Sequence, residues 1–258
     1  MNNPGISRRT ALGRAGAVLG AAALASTAGS VLLAGPAYAA PGPTVPDGKE
    51  IDAALKRYRD RRSRVFTGKP SRNGWEMEKA ADAGGSIWTR QVPGTQLDGV
   101  AVRLGDVETV LLHVIRRFHY EIDALRRGDV IGWRSPGEVR KGLAEGNQAS
   151  GTAVQIRPGH YPHGAKGGFF PSQLVVVRDI LAELDGTVRW GGDDAKPDES
   201  LFSIAVRPGD TRLSRVAAKL RGWSDTPSEG PGTQVDVLEK GRRGSARALE
   251  RRQRATAA

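Results

Sequence analysis

Between Asn147 and Phe202 the chain places His160 and His163 in one short stretch, and Asp193, Asp194, Asp198 and Glu199 in another. Imidazoles and carboxylates in such a mixture suit a divalent metal. A hydrolytic metal further needs an open position for water and a carboxylate base nearby. His160 and His163 with Asp193 and Asp194 make one candidate set. The competing reading is a surface loop that happens to carry histidines, because Tyr161-Pro162-His163-Gly164 has the composition of a turn. Ser150 and Ser200 lack the strand–turn–helix setting that exposes a nucleophilic serine. The chain has no cysteine, which excludes disulfides, thiolate zinc sites and a cysteine nucleophile.

Longer blocks surround these residues. Asn147-Gln148-Ala149-Ser150-Gly151-Thr152-Ala153-Val154-Gln155 comes first. Tyr161-Pro162-His163-Gly164, Gly168-Phe169-Phe170-Pro171 and Val188-Arg189-Trp190-Gly191-Gly192-Asp193 follow, then Pro197-Asp198-Glu199-Ser200-Leu201-Phe202. Together they resemble the zinc D-alanyl-D-alanine carboxypeptidase and endolysin family, the DD-peptidase relatives of the hedgehog fold. The resemblance covers about Asn73 to Val206.

The resemblance implies two histidines and an aspartate as zinc ligands, and a carboxylate base three residues before the second histidine. Here Gln148, Gln155 and Leu201 stand at the three ligand positions, and Asp198 stands at the base position. An amide is a poor zinc ligand and an isobutyl group is none. The expectation is therefore a vestigial site without zinc or another cofactor. Ser150, Gly151, Ala153, Trp190 and Asp193 would shape the remaining cleft, with Gly151 and Ala153 admitting a substrate backbone. The alternative is an active zinc carboxypeptidase or peptidoglycan endopeptidase whose metal is displaced to His160, His163 and Asp193.

The elements that must position these residues can be read from periodicity. Lys49 to Phe66 suits a basic, solvated helix. Ser86–Thr89 and Val100–Arg103 alternate like strands. Asp106 can cap a helix to about Leu125, with Val107, Val110, Leu111, Val114 and Phe118 on one face. His113 and His119 on that helix read as structural residues. Val130–Trp133 is a short strand, and Ser135–Glu145 a polar loop or short helix. Thr152–Ile156 is a central strand. Pro171 opens a helix to Leu184, which Gly186 ends. Val188–Trp190 and Leu201–Val206 are strands, and Asp210 caps a helix to about Trp223. The predicted fold is α+β: a small antiparallel sheet with packed helices, hedgehog/DD-peptidase-like.

The ends carry charge and targeting signals. The chain has 258 residues, with 39 Lys+Arg against 28 Asp+Glu and a net charge of +11. Such a balance favours polyanionic neighbours. Arg8-Arg9 before a weakly apolar Ala15–Ala34 run, then Ala37-Tyr38-Ala39, resembles a twin-arginine signal peptide over residues 1–39. An uncleaved anchor is the competing reading. Residues 40–72 read as linker and basic helix, 73–223 as the peptidase-like domain, and 224–258 as a basic, flexible tail.

The expected protein is exported, extracellular or wall-associated, and meets the membrane only during export. Its expected partners are peptidoglycan stem peptides or anionic wall polymers, with no specific nucleic acid. Composition and motifs leave the oligomeric state open.

Overall fold

The computed structural model describes residues 47–140 and 142–255; the expected signal peptide and most of the expected linker lie outside them. Asp47 starts the described chain as a helix cap. Its carboxylate accepts from Glu50 N at 2.7 Å, and helix α1 runs Gly48–Val65. Only Val65 of this helix is buried. The rest is solvated, as its arginines and lysines require.

Strands β1 (Phe66–Pro70) and β2 (Glu76–Glu78) then form a small antiparallel pair with an irregular register. Periodicity gives no sign of this hairpin. Both strands are short, and Gly68 and Pro70 interrupt the first. Strands β3 (Ile87–Arg90) and β4 (Val100–Arg103) pair antiparallel close to the expected bounds.

Helix α2 (Asp106–Glu121) buries Val107, Val110, Leu111, Val114 and Phe118, the predicted face. Fully burying one such side chain contributes roughly 1.5–3 kcal/mol. The helix stops two turns before Gly128, where His119 Nδ1 accepts from Leu125 N at 2.8 Å. His119 thus ties down the loop that follows the helix, consistent with a structural histidine.

The central sheet has the order β5-β6-β8-β7, and every adjacent pair is antiparallel. Its strands are β5 (Val130–Ile131), β6 (Ala153–Ile156), β7 (Val188–Trp190) and β8 (Leu201–Ile204). Helices α3 (Pro171–Glu183) and α4 (Thr211–Asp225) complete the helical layer with α2. Val154, Ile156, Phe202 and Ile204 join the main apolar core with the helices. Their neighbours Gln155 and Leu201 alternate to the other face. There a 3₁₀ segment, Ala144–Ser150, packs against β2, β6 and β8. The coarse α+β class with small antiparallel sheets is therefore present.

The C-terminal segment differs from the flexible tail expected of its arginines. Lys240–Ala255 forms helix α5, which buries Ala246, Leu249 and Gln253 against the domain. Arg242 bonds Asp179 and Glu183 of α3, and Arg254 bonds Asp193. The arginines act as ties to a carboxylate-rich face, a pairing that a one-dimensional charge count cannot show. Residues from Asp47 onward form one compact unit, so the expected boundaries near 73 and 223 do not divide it. Among the described residues no helix is long and apolar enough to cross a membrane.

Candidate functional site

Strand pairing decides which of the singled-out residues meet. Gln155 on β6 lies directly opposite Leu201 on β8, and Ile131 on β5 lies opposite Gln155. Opposed residues project to the same face. Gln148, in the 3₁₀ segment, donates its amide to Gly132 O at 2.9 Å and Ile131 O at 3.2 Å. Gln148, Gln155 and Leu201 are thus gathered on the face away from the helices, and all three are buried.

Asp198 joins them. Gln155 Nε2 donates to Asp198 Oδ2 at 3.0 Å, and Ser200 Oγ donates to Asp198 Oδ1 at 2.6 Å. Asp198 lies three residues before Leu201, and Leu201 N returns to Asp198 O at 3.1 Å to close the turn. Gly191 permits this turn. A Cβ there would lie 2.5 Å from Asp198 O and 3.2 Å from Leu201 Cβ.

Two further residues reach the same point. His163 Nδ1 is 3.6 Å from Asp198 Oδ2. Glu145 enters from the start of the 3₁₀ segment, where Arg140 binds it through its backbone N at 2.6 Å and Nε at 2.7 Å. Burial acts to raise the Glu145 pKa, but the Arg140 hydrogen bonds and charge overcome it and hold the group ionised. Potential ligand atoms of Glu145, His163 and Asp198 all lie within 4.8 Å of one another.

A cleft of about 330 Å³ opens beside them. Leu201, Glu145, His163 and Asp198 form one side, and Arg72, Arg189 and Lys196 supply positive charge around it. Arg189 is held by Asp194 at 2.7 Å.

The residues expected to shape a cleft lie elsewhere. Ser150 Oγ is consumed by Asn147 O, Thr152 Oγ1 and Ser71 Oγ, all at 2.8–2.9 Å. Gly151 has φ +67°, and a Cβ there would meet Arg103 N at 2.7 Å. Its missing side chain makes room for β4, not for a substrate backbone. Ala153 is fully buried opposite Ser203. Trp190 belongs to the helical core, under the Arg178 guanidinium at 5.0 Å. Asp193 forms a two-pronged pair with Arg178.

The displaced metal set of His160, His163 and Asp193 is not assembled. His160 is exposed and contacts Arg157 at 3.1 Å, while Asp193 is committed to Arg178. Of the three, His163 alone reaches the cluster. Glu145 and Asp198 stand with it in place of the other two, and Glu145 comes from the end of the stretch expected to be a polar loop or short helix. The available signal was its position three residues before Gln148, beside the block that carries the resemblance.

His113 is structural, as its helix suggested. Its Nε2 lies 2.7 Å from Glu183 Oε2, in a buried network with Arg117, Asp179 and Arg242. Comparison of the chain with family models, curated proteins and solved structures finds no match in any of the three.

Proposed function

We propose that the protein is an exported, non-catalytic relative of the zinc D,D-carboxypeptidases that binds peptidoglycan stem peptides. The observation that carries this reading is the grouping of Gln148, Gln155, Leu201 and Asp198 beside a cleft. A strand pair, a turn and the Gln148 amide contact bring these four residues together, as would suit the ligand and base positions that the resemblance implies. The first three hold two amides and an aliphatic group, so the family's zinc has no ligands at those positions. The cleft volume, about 330 Å³, suits a short peptide. Arg72, Arg189 and Lys196 around it would favour a terminal carboxylate. Anionic wall polymers fit the basic face of α1, which carries Lys49, Lys56, Arg57, Arg59, Arg61 and Arg64 in exposed positions.

Calorimetry with a synthetic stem pentapeptide tests the reading. Binding should persist at about 0.5 M salt, where exposed charge attraction is screened. Ala195→Trp, at the exposed cleft edge, should abolish it. Binding that vanishes with salt leaves a polyanion adhesin. Release of D-alanine from the peptide would establish catalysis instead.

A further inference from the structure

We propose that Glu145, His163 and Asp198 form a site for a divalent first-row cation, Mn²⁺ or Zn²⁺. None of the three occupies a ligand position implied by the family resemblance, and the proposal is independent of what the cleft binds. The residues arrive from three segments: the head of the 3₁₀ helix, the loop after β6 and the turn before β8. Their ligand atoms lie within 4.8 Å of one another. Ligands bound to one such ion at about 2.0–2.2 Å are roughly 3–4 Å apart. The group therefore needs only a small closure.

Two observations beyond the grouping point to a ligand. First, both ring nitrogens of His163 are shielded from solvent, yet neither has a hydrogen-bond partner in the protein. A shielded imidazole ordinarily donates from one nitrogen and accepts at, or coordinates through, the other. Asp198 Oδ2, 3.6 Å from Nδ1, is beyond hydrogen-bonding distance. Second, Gln155 is 6% exposed and its Oε1 also lacks a donor. Its Nε2 is fixed on Asp198 at 3.0 Å, so the unpaired oxygen of the same amide stands beside the cluster. A cation among these atoms would satisfy the imidazole and could recruit the amide oxygen as a neutral fourth ligand.

The surroundings support the assignment. Arg140 on Glu145 and Ser200 on Asp198 orient each carboxylate from behind. Arg140 takes both lone pairs of Glu145 Oε1, through its backbone N and Nε, but only one of Oε2, which keeps the other for a cation. Arg140 pairs with Glu145, whereas the hydrogen bonds to Asp198 come from the neutral Gln155 amide and Ser200 hydroxyl, so its carboxylate is the one left for a cation beside His163. One imidazole with several oxygens suits Mn²⁺ or Zn²⁺ and disfavours soft metals. The cleft leaves room for water or a ligand carboxylate on the open side.

The test uses purified protein stripped with chelator and then titrated with Mn²⁺, free ion being read by electron paramagnetic resonance. Co²⁺ absorbance provides a second readout that is sensitive to imidazole ligation. One saturable site per chain is expected. His163→Ala, in a loop, and Asp198→Asn, nearly isosteric, should each weaken binding at least tenfold, while His160→Ala, exposed in the same loop and outside the cluster, should leave it unchanged. Circular dichroism verifies that each variant is folded. The absence of saturable binding overturns the proposal. So does undiminished binding by folded His163→Ala, or a dependence on His160 that equals the dependence on His163.

Discussion

Gln155 donates its side-chain amide to Asp198 Oδ2 at 3.0 Å, across a buried contact between β6 and the turn that enters β8. The neutral amide supplies Asp198 with a donor in a buried setting. Gln155→Asp would exchange a donor for a second negative group. Like charges that close cannot both ionise cheaply, and a buried acceptor would lose its donor. We expect a loss of about 1–3 kcal/mol at neutral pH, read by urea denaturation. Adding Asp198→Asn should recover much of it. A Gln155→Asp protein as stable as wild type would mean that the amide–carboxylate bond is not formed.

Gly151 tests a different link, from backbone to packing. It sits at φ +67°, and Arg103 N donates to its carbonyl at 2.9 Å. A Cβ would lie 2.7 Å from that same Arg103 N and 2.9 Å from Ile87 Cγ1. Strain in the left-handed region and the steric clash should add. Gly151→Val should destabilise by more than 2 kcal/mol, roughly the sum expected of one strained dihedral and one overpacked contact. Gly137 makes a control, since a Cβ there meets nothing within 4 Å. Equal stability of Gly151→Val and Gly137→Ala would remove this account of the glycine.

The helices and central strands were legible because their apolar spacing is long and regular. Val107, Val110, Leu111, Val114 and Phe118 can share a core only as one helix face, and they do. The pairing of Gln155 with Leu201 was legible only through the resemblance, since strand register depends on partners far apart in sequence. The true occupants of the cleft wall were not. Ser150 and Gly151 sit near it in sequence, but the end of the 3₁₀ segment turns them into the protein, and alternation along β7 does the same to Trp190. Glu145 was hidden in a segment without period. The fate of the arginine-rich tail was hidden for a related reason: whether Arg242 is solvated or buried depends on Asp179 and Glu183, some sixty residues away.

That tail gives a pH prediction. Burial acts to raise the Glu183 pKa, but hydrogen bonding from His113 and the charge of Arg117 overcome it and hold Glu183 far below the usual carboxylate range. A carboxyl depressed in the fold stabilises above its unfolded pKa, near 4.3, and that stabilisation drains away as pH falls towards the folded value. His113 is depressed chiefly by burial, so its contribution is lost on falling below about 6.5. Wild type should therefore lose stability in two steps on acidification. Glu183→Gln should be less stable at pH 7 and should lack the lower step. Arg242→Ala should cost about 1–3 kcal/mol at pH 7 and less in acid. Denaturant midpoints measured between about pH 3 and 7 decide the matter. A Glu183→Gln profile parallel to wild type would exclude Glu183 as the acid-labile tie.

Restoring the family's ligand types asks whether its metal geometry survives beneath the substitutions. Gln155 and Leu201 are opposed across β6 and β8, so an aspartate and a histidine there would face one another on one sheet surface. Gln148 contacts the carbonyls of Ile131 and Gly132, and Ile131 is itself the β5 partner of Gln155. A histidine at 148 would therefore start from the same neighbourhood. The triple variant Gln148→His, Gln155→Asp, Leu201→His should gain a zinc site that survives a further His163→Ala change. Its thermal stability should rise with added zinc, by about 2.7 kcal/mol at a hundredfold excess over Kd. Wild type with His163→Ala should show no such rise. The comparison separates the two possible centres, because one depends on positions 148, 155 and 201 and the other on His163. A triple variant that takes up zinc only while His163 is present would place the metal at the Glu145–His163–Asp198 group alone. The family geometry would then be absent, and the resemblance would extend to the sequence frame but not to its metal centre.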